Sequence, residues 1–356
     1  MSAELPTDPT RPVRPGEEID AVAVSAHLAG KVPGADGVPD VWQFPGGHAN
    51  LTYLIEYPAA RYVLRRGPHG EVAASAHDMG REYRVLSSLY RAYPLAPRAY
   101  VYCEDRSVIG APFFVMERRH GVVVRREVPP EFGVGQDPVA NRKLSEVIVD
   151  ALVQFHAVDP AAAGLETLGK PEGYLRRQVE GWTERWERAR TRDVAQAPAV
   201  IGWLRDRMPE TPVVTLVHND WRLDNMAVAA DDPGRCVAVY DWDMCTRGDP
   251  FTDLGTLLST WFEENEHLAF LASMPTRVPG FMSRREAIAR YAERSGRDVG
   301  GMAYYYVFGL FKMAGVVQQL YYRWHKGLTK DARMAAGEAV AEDLIGLAHA
   351  HLERHG

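Results

Sequence analysis

The sequence predicts an α+β protein. Three observations carry that expectation. Short apolar runs at strand length, such as Arg61-Tyr62-Val63-Leu64-Arg65-Arg66 and Ala111-Pro112-Phe113-Phe114-Val115-Met116, lie in the first third of the chain. A break follows between Arg118 and Asp137, where His120-Gly121, Pro129-Pro130 and Gly133-Val134-Gly135 interrupt the pattern. Beyond it, long segments with apolar residues at helical spacing predominate. With 356 residues, 46% hydrophobic and 25% charged, the chain is long enough for two sizeable cores and has an ordinary soluble composition.

In chain order, residues 1–18 contain Pro6, Pro9, Pro12 and Pro15 with few apolar residues, which predicts a mobile or draped extension. The run Arg61–Arg66 reads as a strand ending in basic residues. Met79–Leu89 is apolar at helical spacing, so a charged pair across strand and helix is expected. Ala111–Arg118 reads as a buried strand leading into a polar crossover. Leu144–His156 carries a helical apolar stripe. Glu172–Arg192 reads as a helix with Tyr174, Gln178, Trp182 and Trp186 recurring every four residues; this stripe serves either core packing or a ligand-facing surface. Val213–Val217, Met226–Val228 and Cys236–Tyr240 are short strands, the last two joined by a turn at Asp231-Asp232-Pro233-Gly234. Met302–Trp324 is apolar nearly all round and predicts a buried helix interrupted by Lys312.

Several classes are excluded. No stretch approaches the roughly 20 apolar residues of a membrane span, and no basic start precedes an apolar segment, which points to a cytoplasmic protein without a membrane partner. The three cysteines, Cys103, Cys236 and Cys245, lack C-x-x-C spacing and argue against a disulfide framework or a structural zinc site. A net charge of −6 gives no basic field for nucleic acid. No repeat of fixed period is visible.

The chemistry concentrates in Val217-His218-Asn219-Asp220-Trp221-Arg222-Leu223-Asp224-Asn225 and in Val239-Tyr240-Asp241-Trp242. In phosphoryl transfer an Asp accepts the proton of the attacking hydroxyl, an Asn five residues later binds Mg²⁺, and a downstream Asp binds the metal that bridges the phosphates. Asp220, Asn225 and Asp241 have that order and spacing. Few protein ligands suffice, because phosphates and water complete the magnesium octahedron. An isolated D-x-x-x-x-N would be a solvated turn. Here, strands flank the loop.

These residues resemble the aminoglycoside phosphotransferase/choline kinase-like family, whose loop reads H-G-D-x-x-x-x-N and is followed by a D-W strand. Gly248-Asp249-Pro250-Phe251-Thr252-Asp253-Leu254-Gly255 looks like its G-D-P-x-x-D-L-A segment, with Asp253 bracing the loop. The resemblance spans roughly residues 20–350 and implies a bilobal protein-kinase-like fold. Its N-terminal lobe, 19–118, would hold an antiparallel sheet and a helix, and its larger C-terminal lobe, 119–356, would be mainly helical. It further implies a glycine-rich turn at Gly46, Gly47, His48, Ala49 and Asn50 against phosphate, although an ordinary hairpin explains two glycines as well. Arg65 would take the place of the phosphate-binding Lys with Glu82 holding it, and Met116, Glu117, Arg118 and Arg119 would border the adenine. His156 closes an L-x-x-L-H-like helix and is read as structural. Arg176–Trp182, Tyr240–Asp243 and the Tyr304–Arg323 helix are similar to a subgroup, the kinase-like domain associated with acyl-CoA dehydrogenases. The chain departs from the family at Asn219, where Gly is usual, at Ala49 for Ser, and at Asp243 for Glu.

The resemblance implies an ATP-dependent phosphotransferase that requires Mg²⁺ and acts on the hydroxyl of a small molecule. A hydroxylated metabolite or hydroxyacyl compound is expected ahead of an aminoglycoside. The alternative is a weak or inactive nucleotide-binding module of the same fold.

Overall fold

Arg61–Arg66 is the middle strand of a five-stranded antiparallel sheet, in the order Asp40–Gln43, Leu51–Glu56, Arg61–Arg66, Phe113–Glu117, Ala99–Cys103. The computed structural model describes residues 10–44, 50–67, 78–210, 213–266 and 268–355. It forms two compact units, the first made of residues up to 123 with 161–166 and 225–245, the second of 124–160, 167–224 and 246 onward.

In the first unit the register sets Leu64 opposite both Tyr53 and Val115. Alternate strand residues Tyr53, Ile55, Leu64, Phe113 and Val115 therefore meet Val24 and Leu28 of the Ala21–Leu28 helix in one fully buried cluster. The Met79–Leu89 helix buries Met79, Glu82, Val85, Leu86 and Leu89, a stripe at spacing three and four, and begins at Asp78, whose carboxylate accepts the Arg81 N–H at 3.0 Å. The described part of the N-terminal extension is draped along the sheet edge: Arg11 and Gln43 exchange two backbone hydrogen bonds, and Tyr53 Oη donates to the Glu17 carbonyl at 2.6 Å.

A second sheet of this unit pairs Val122–Val123, Met226–Ala229 and Asp232–Val239. The turn in its hairpin is Ala230-Asp231, earlier than the Asp231–Gly234 position expected from composition. Asp232–Val239 is an edge strand, where Pro233 displaces no partner on its open side. Gly121 has no room for a side chain: a β-carbon would lie 2.5 Å from Val237 and 2.9 Å from Ala227.

The second unit is helical around Met302–His325, which packs on Tyr174–Ala189, Ala197–Asp206, Phe251–Leu258 and Gly337–His355. Its burial is continuous from Tyr304 to Gly315 and is then broken, with Leu320 39% exposed, so only its first half is enclosed all round. At the crossing with Phe251–Leu258 the backbones touch, since a β-carbon on Gly255 would strike the Tyr305 carbonyl and one on Gly309 the Gly255 carbonyl. Tyr174, Trp182 and Trp186 are buried, so the aromatic stripe is core. Pro138–His156 packs on Arg284–Ser295, and Thr215–Val217 pairs with Thr246–Gly248. No helix among the described residues is long and apolar enough to cross a membrane.

Candidate active site

The strand Thr215–Val217 delivers the loop of the second unit. Asp253, fully buried on the Phe251–Leu258 helix, accepts the backbone N–H of His218 at 2.6 Å and of Asn219 at 2.7 Å. It also accepts His156 Nε2–H at 3.2 Å, while His156 Nδ1 accepts the Tyr291 hydroxyl at 2.8 Å. Burial alone would raise the Asp253 pKa, but the His156 bond, the nearby imidazoles and the His218 N–H hold it below the ordinary carboxylate range. Burial keeps His156 neutral, against the pull of Asp253. Both are structural, as expected: they brace the backbone next to Asp220.

Asn219 has φ +69, the left-handed conformation that a glycine would take without strain. Its Oδ1 accepts the Tyr174 hydroxyl at 2.5 Å and its carbonyl accepts Lys312 Nζ. Half-buried Asp220 donates its N–H to His218 Nδ1 at 3.2 Å. Trp221, buried, donates its ring N–H to the Ile148 carbonyl at 3.1 Å and stacks on Phe155, so the chain is anchored on both sides of Asp220. The rest of the G-D-P-x-x-D-L-G segment serves packing. A β-carbon on Gly248 would lie 2.6 Å from the Tyr174 ring, and Asp249 accepts the Tyr305 hydroxyl at 2.5 Å and the Phe251 N–H at 3.0 Å.

In the first unit the hairpin register brings Asn225 and Asp241 together. Met226 pairs with Val239, and the Tyr240 N–H donates to the Asn225 carbonyl at 2.8 Å, so the two residues leave the paired strands at the same end. Asp241 stands at φ +64 with its side chain 39% exposed, and its carboxylate accepts Arg65 Nη2 at 3.1 Å. Strained backbone at a polar, accessible carboxylate is a feature of functional sites. Arg65 Nη1 reaches Glu82 at 3.0 Å, whereas Arg66 turns to the Ile109 carbonyl. Burial opposes the Arg65 charge, but Glu82, Asp241 and Asp243 more than offset it and keep the guanidinium protonated. Three carboxylates around one guanidinium leave an excess of negative charge. It is relieved at the most buried of them, Glu82, whose pKa rises through burial and the fields of Asp241 and Asp243, against Arg65 and the Trp242 N–H. Arg81 Nη2 donates to the Cys245 carbonyl at 2.9 Å, so one helix grips the Asp241–Cys245 segment at two points.

No group of three or more His, Cys, Asp or Glu among the described residues could hold a metal. Asn225 and Asp241 offer the smaller set of oxygen donors that suits Mg²⁺ shared with phosphates. Gly46, Gly47, His48 and Ala49 lie outside the described residues; Asn50 is buried at the start of Leu51–Glu56. Met116 is buried in its strand. Glu117 accepts the Arg98 N–H at 3.2 Å and pairs with Arg119 at 3.1 Å, and Arg119 donates to the Pro94 carbonyl at 3.0 Å, so these side chains are engaged in shaping the crossover with Arg118 between them. Tyr174 and Lys312 were not expected at the loop. The only sequence signal for Lys312 is a charge inside an apolar helix.

The model of the phosphotransferase enzyme family matches residues 40–298. Acyl-CoA dehydrogenase family member 10 of Mus musculus is 29% identical over 343 residues, 95% of this chain and 32% of the mouse protein. Member 11 of Gallus gallus is 30% identical over 325 residues, 88% of this chain and 41% of the bird protein. The chain thus spans a third to two fifths of the length of these relatives. Among solved structures, a Ralstonia eutropha protein provisionally named an aminoglycoside phosphotransferase superposes with TM-score 0.81 at 28% identity, covering 95% of this chain and 99% of that one. Aminoglycoside phosphotransferase APH(4)-Ia, solved with AMP-PNP and hygromycin B, shares the fold at TM-score 0.59 and 17% identity, over 93% and 99% of the two chains. The antiparallel-sheet unit and the larger helical unit are those of the protein-kinase-like fold of these enzymes, and the chain belongs to the phosphotransferase enzyme family.

Proposed function

We propose that this chain moves the γ-phosphate of ATP to a hydroxyl of a small molecule, with Asp220 orienting that hydroxyl and accepting its proton. Asn225 and Asp241 would hold Mg²⁺, which when bound neutralises charge on the triphosphate oxygens. Arg65, fixed by Glu82, offers a second cation to the phosphates. The main chain of 116–119 borders the adenine. The rate then comes from positioning and charge neutralisation. The observation that carries this reading is that Asn225 and a left-handed Asp241 leave one hairpin at the same end, with Asp241 tethered to the Arg65–Glu82 pair. The departure at position 219 does not oppose it, because Asn219 holds the backbone angle that Gly would supply.

As acceptor we favour a hydroxylated metabolite, and within that class a hydroxyacyl compound, because the matched relatives carry the name acyl-CoA dehydrogenase family members. Calorimetry should detect ATP binding that requires Mg²⁺ and that Asp241→Ala abolishes. Asp220→Asn should bind Mg²⁺-ATP yet lose about two to four orders of magnitude in turnover. Unchanged turnover in both variants would remove the assigned roles. Tight nucleotide binding without product from any acceptor would favour a nucleotide-binding module, and transfer to aminoglycosides alone would overturn the acceptor order.

A further inference from the structure

Lys312 is 4% exposed on a helix otherwise apolar around it, and a buried ammonium persists only where its donors are satisfied. Here they are met by three groups. The Asn219 carbonyl accepts from Nζ, Thr256 Oγ1 lies at 3.4 Å, and the Trp182 ring centroid lies at 5.9 Å. Thr256 donates its own proton to the Thr252 carbonyl at 2.7 Å, which leaves its lone pairs for Lys312. Burial lowers the Lys312 pKa and Arg185 adds to that, while the carboxylates of Asp220 and Asp253 oppose them.

The bond to Asn219 matters because of where it falls. The Asn219 carbonyl and the Asp220 N–H belong to one peptide unit. Lys312 holds its oxygen, and His218 Nδ1 holds its N–H at 3.2 Å. The two preceding N–H groups are already held by Asp253. Lys312 thus resists rotation of this peptide at its carbonyl end, beside a residue whose φ of +69 suits Asn less well than Gly. Rotation there changes ψ of Asn219 and φ of Asp220, the angles that aim the Asp220 side chain.

We propose that Lys312 is a positioning residue for Asp220: with Tyr174 on the Asn219 side chain, it supplies from outside the left-handed turn that a glycine at 219 would hold by itself. The role in turnover rests on Asp220 being the base, as proposed above.

The test compares the full chain with Lys312→Met, Lys312→Met/Asn219→Gly and Tyr174→Phe, the last removing a single oxygen should loss of Lys312 prevent folding. Amide exchange of the Asn219–Asp220 segment reads the pin. Formation of ADP from Mg²⁺-ATP, with water as acceptor, reads the chemistry. Lys312→Met should raise exchange at Asp220 about tenfold and lower turnover about tenfold to a hundredfold, with Mg²⁺-ATP affinity within about twofold of the parent. Tyr174→Phe should shift both in the same direction by less, and Asn219→Gly should restore most of both losses in the double variant. Parental exchange at Asp220 in Lys312→Met, or in Tyr174→Phe if that variant alone folds, overturns the proposal. So does exchange that rises evenly across the unit without restoration by glycine. Failure of the parent to bind Mg²⁺-ATP sinks the phosphotransferase reading instead, and the exchange comparison still decides the pin.

Discussion

Three residues of the candidate site carry unusual local chemistry. Asn219 and Asp241 occupy left-handed backbone, at φ +69 and +64, which their short polar side chains tolerate better than most. Glu82 is the third, a fully buried acid whose pKa is pushed up to about 8 by burial, with Asp241 and Asp243 adding to it. The sign of its effect on stability follows from linkage. A carboxyl that holds its proton more tightly when folded stabilises the fold fully below its unfolded pKa, and that contribution is lost as pH rises through the folded value. The metal-free protein should therefore lose stability between about pH 5 and pH 8. Urea midpoints measured across that range should fall for the parent and run flatter for Glu82→Gln; parallel curves would show that Glu82 is ionised when folded. The Asn219 angle was foreseeable from the loop motif, because Asn stands where the family has Gly. The Asp241 angle was not, since nothing in Y-D-W-D marks it.

At the scale of elements, periodicity carried far. The Met79–Leu89, Pro138–His156, Tyr174–Ala189 and Met302–His325 helices lie where apolar stripes placed them, because a helix buries the residues three and four apart that it must hide from water. The strand before Asp220 is shorter than its apolar run: Val213 and Val214 are 39% and 44% exposed, and only Thr215–Val217 finds a partner. Pairing ends where the partner strand ends, and that is a long-range fact. The contact between Phe251–Leu258 and Met302–His325 rests on two glycines, Gly255 against the Tyr305 backbone and Gly309 against the Gly255 backbone. Gly255→Ala should cost about 1–3 kcal/mol or more, seen as a lowered urea midpoint, since neither carbonyl can withdraw without moving its helix. An unchanged midpoint would mean that the helices can separate without loss.

At the scale of the whole molecule, the first unit takes in residues 225–245 together with the amino-terminal sheet, so the chain order of the elements is not the order of the compact units. Asp241 meets Arg65 across 176 positions of sequence. If Asn225, Asp241 and Arg65 form the Mg²⁺-nucleotide site, ligand binding must stabilise the folded chain by mass action. At a concentration about a hundred times Kd, Mg²⁺-ATP should add about 2.7 kcal/mol and raise the unfolding temperature. The rise should vanish with a chelator and in Asp241→Ala. A shift of equal size with ATP alone would place the nucleotide elsewhere.

By itself the sequence determined the family, the order H-x-D-x-x-x-x-N then D-W then G-D-P-x-x-D-L, and the sites of four of the helices. These depend on residue types a few positions apart, whose geometry the local backbone dictates. Only the tertiary structure decided that Asn225 and Asp241 leave one hairpin side by side, that Arg81 reaches the Cys245 carbonyl, and that Lys312 reaches the Asn219 carbonyl from 93 residues away. Those partners are chosen by register and by the packing of helices, which bring together groups that no spacing along the chain relates.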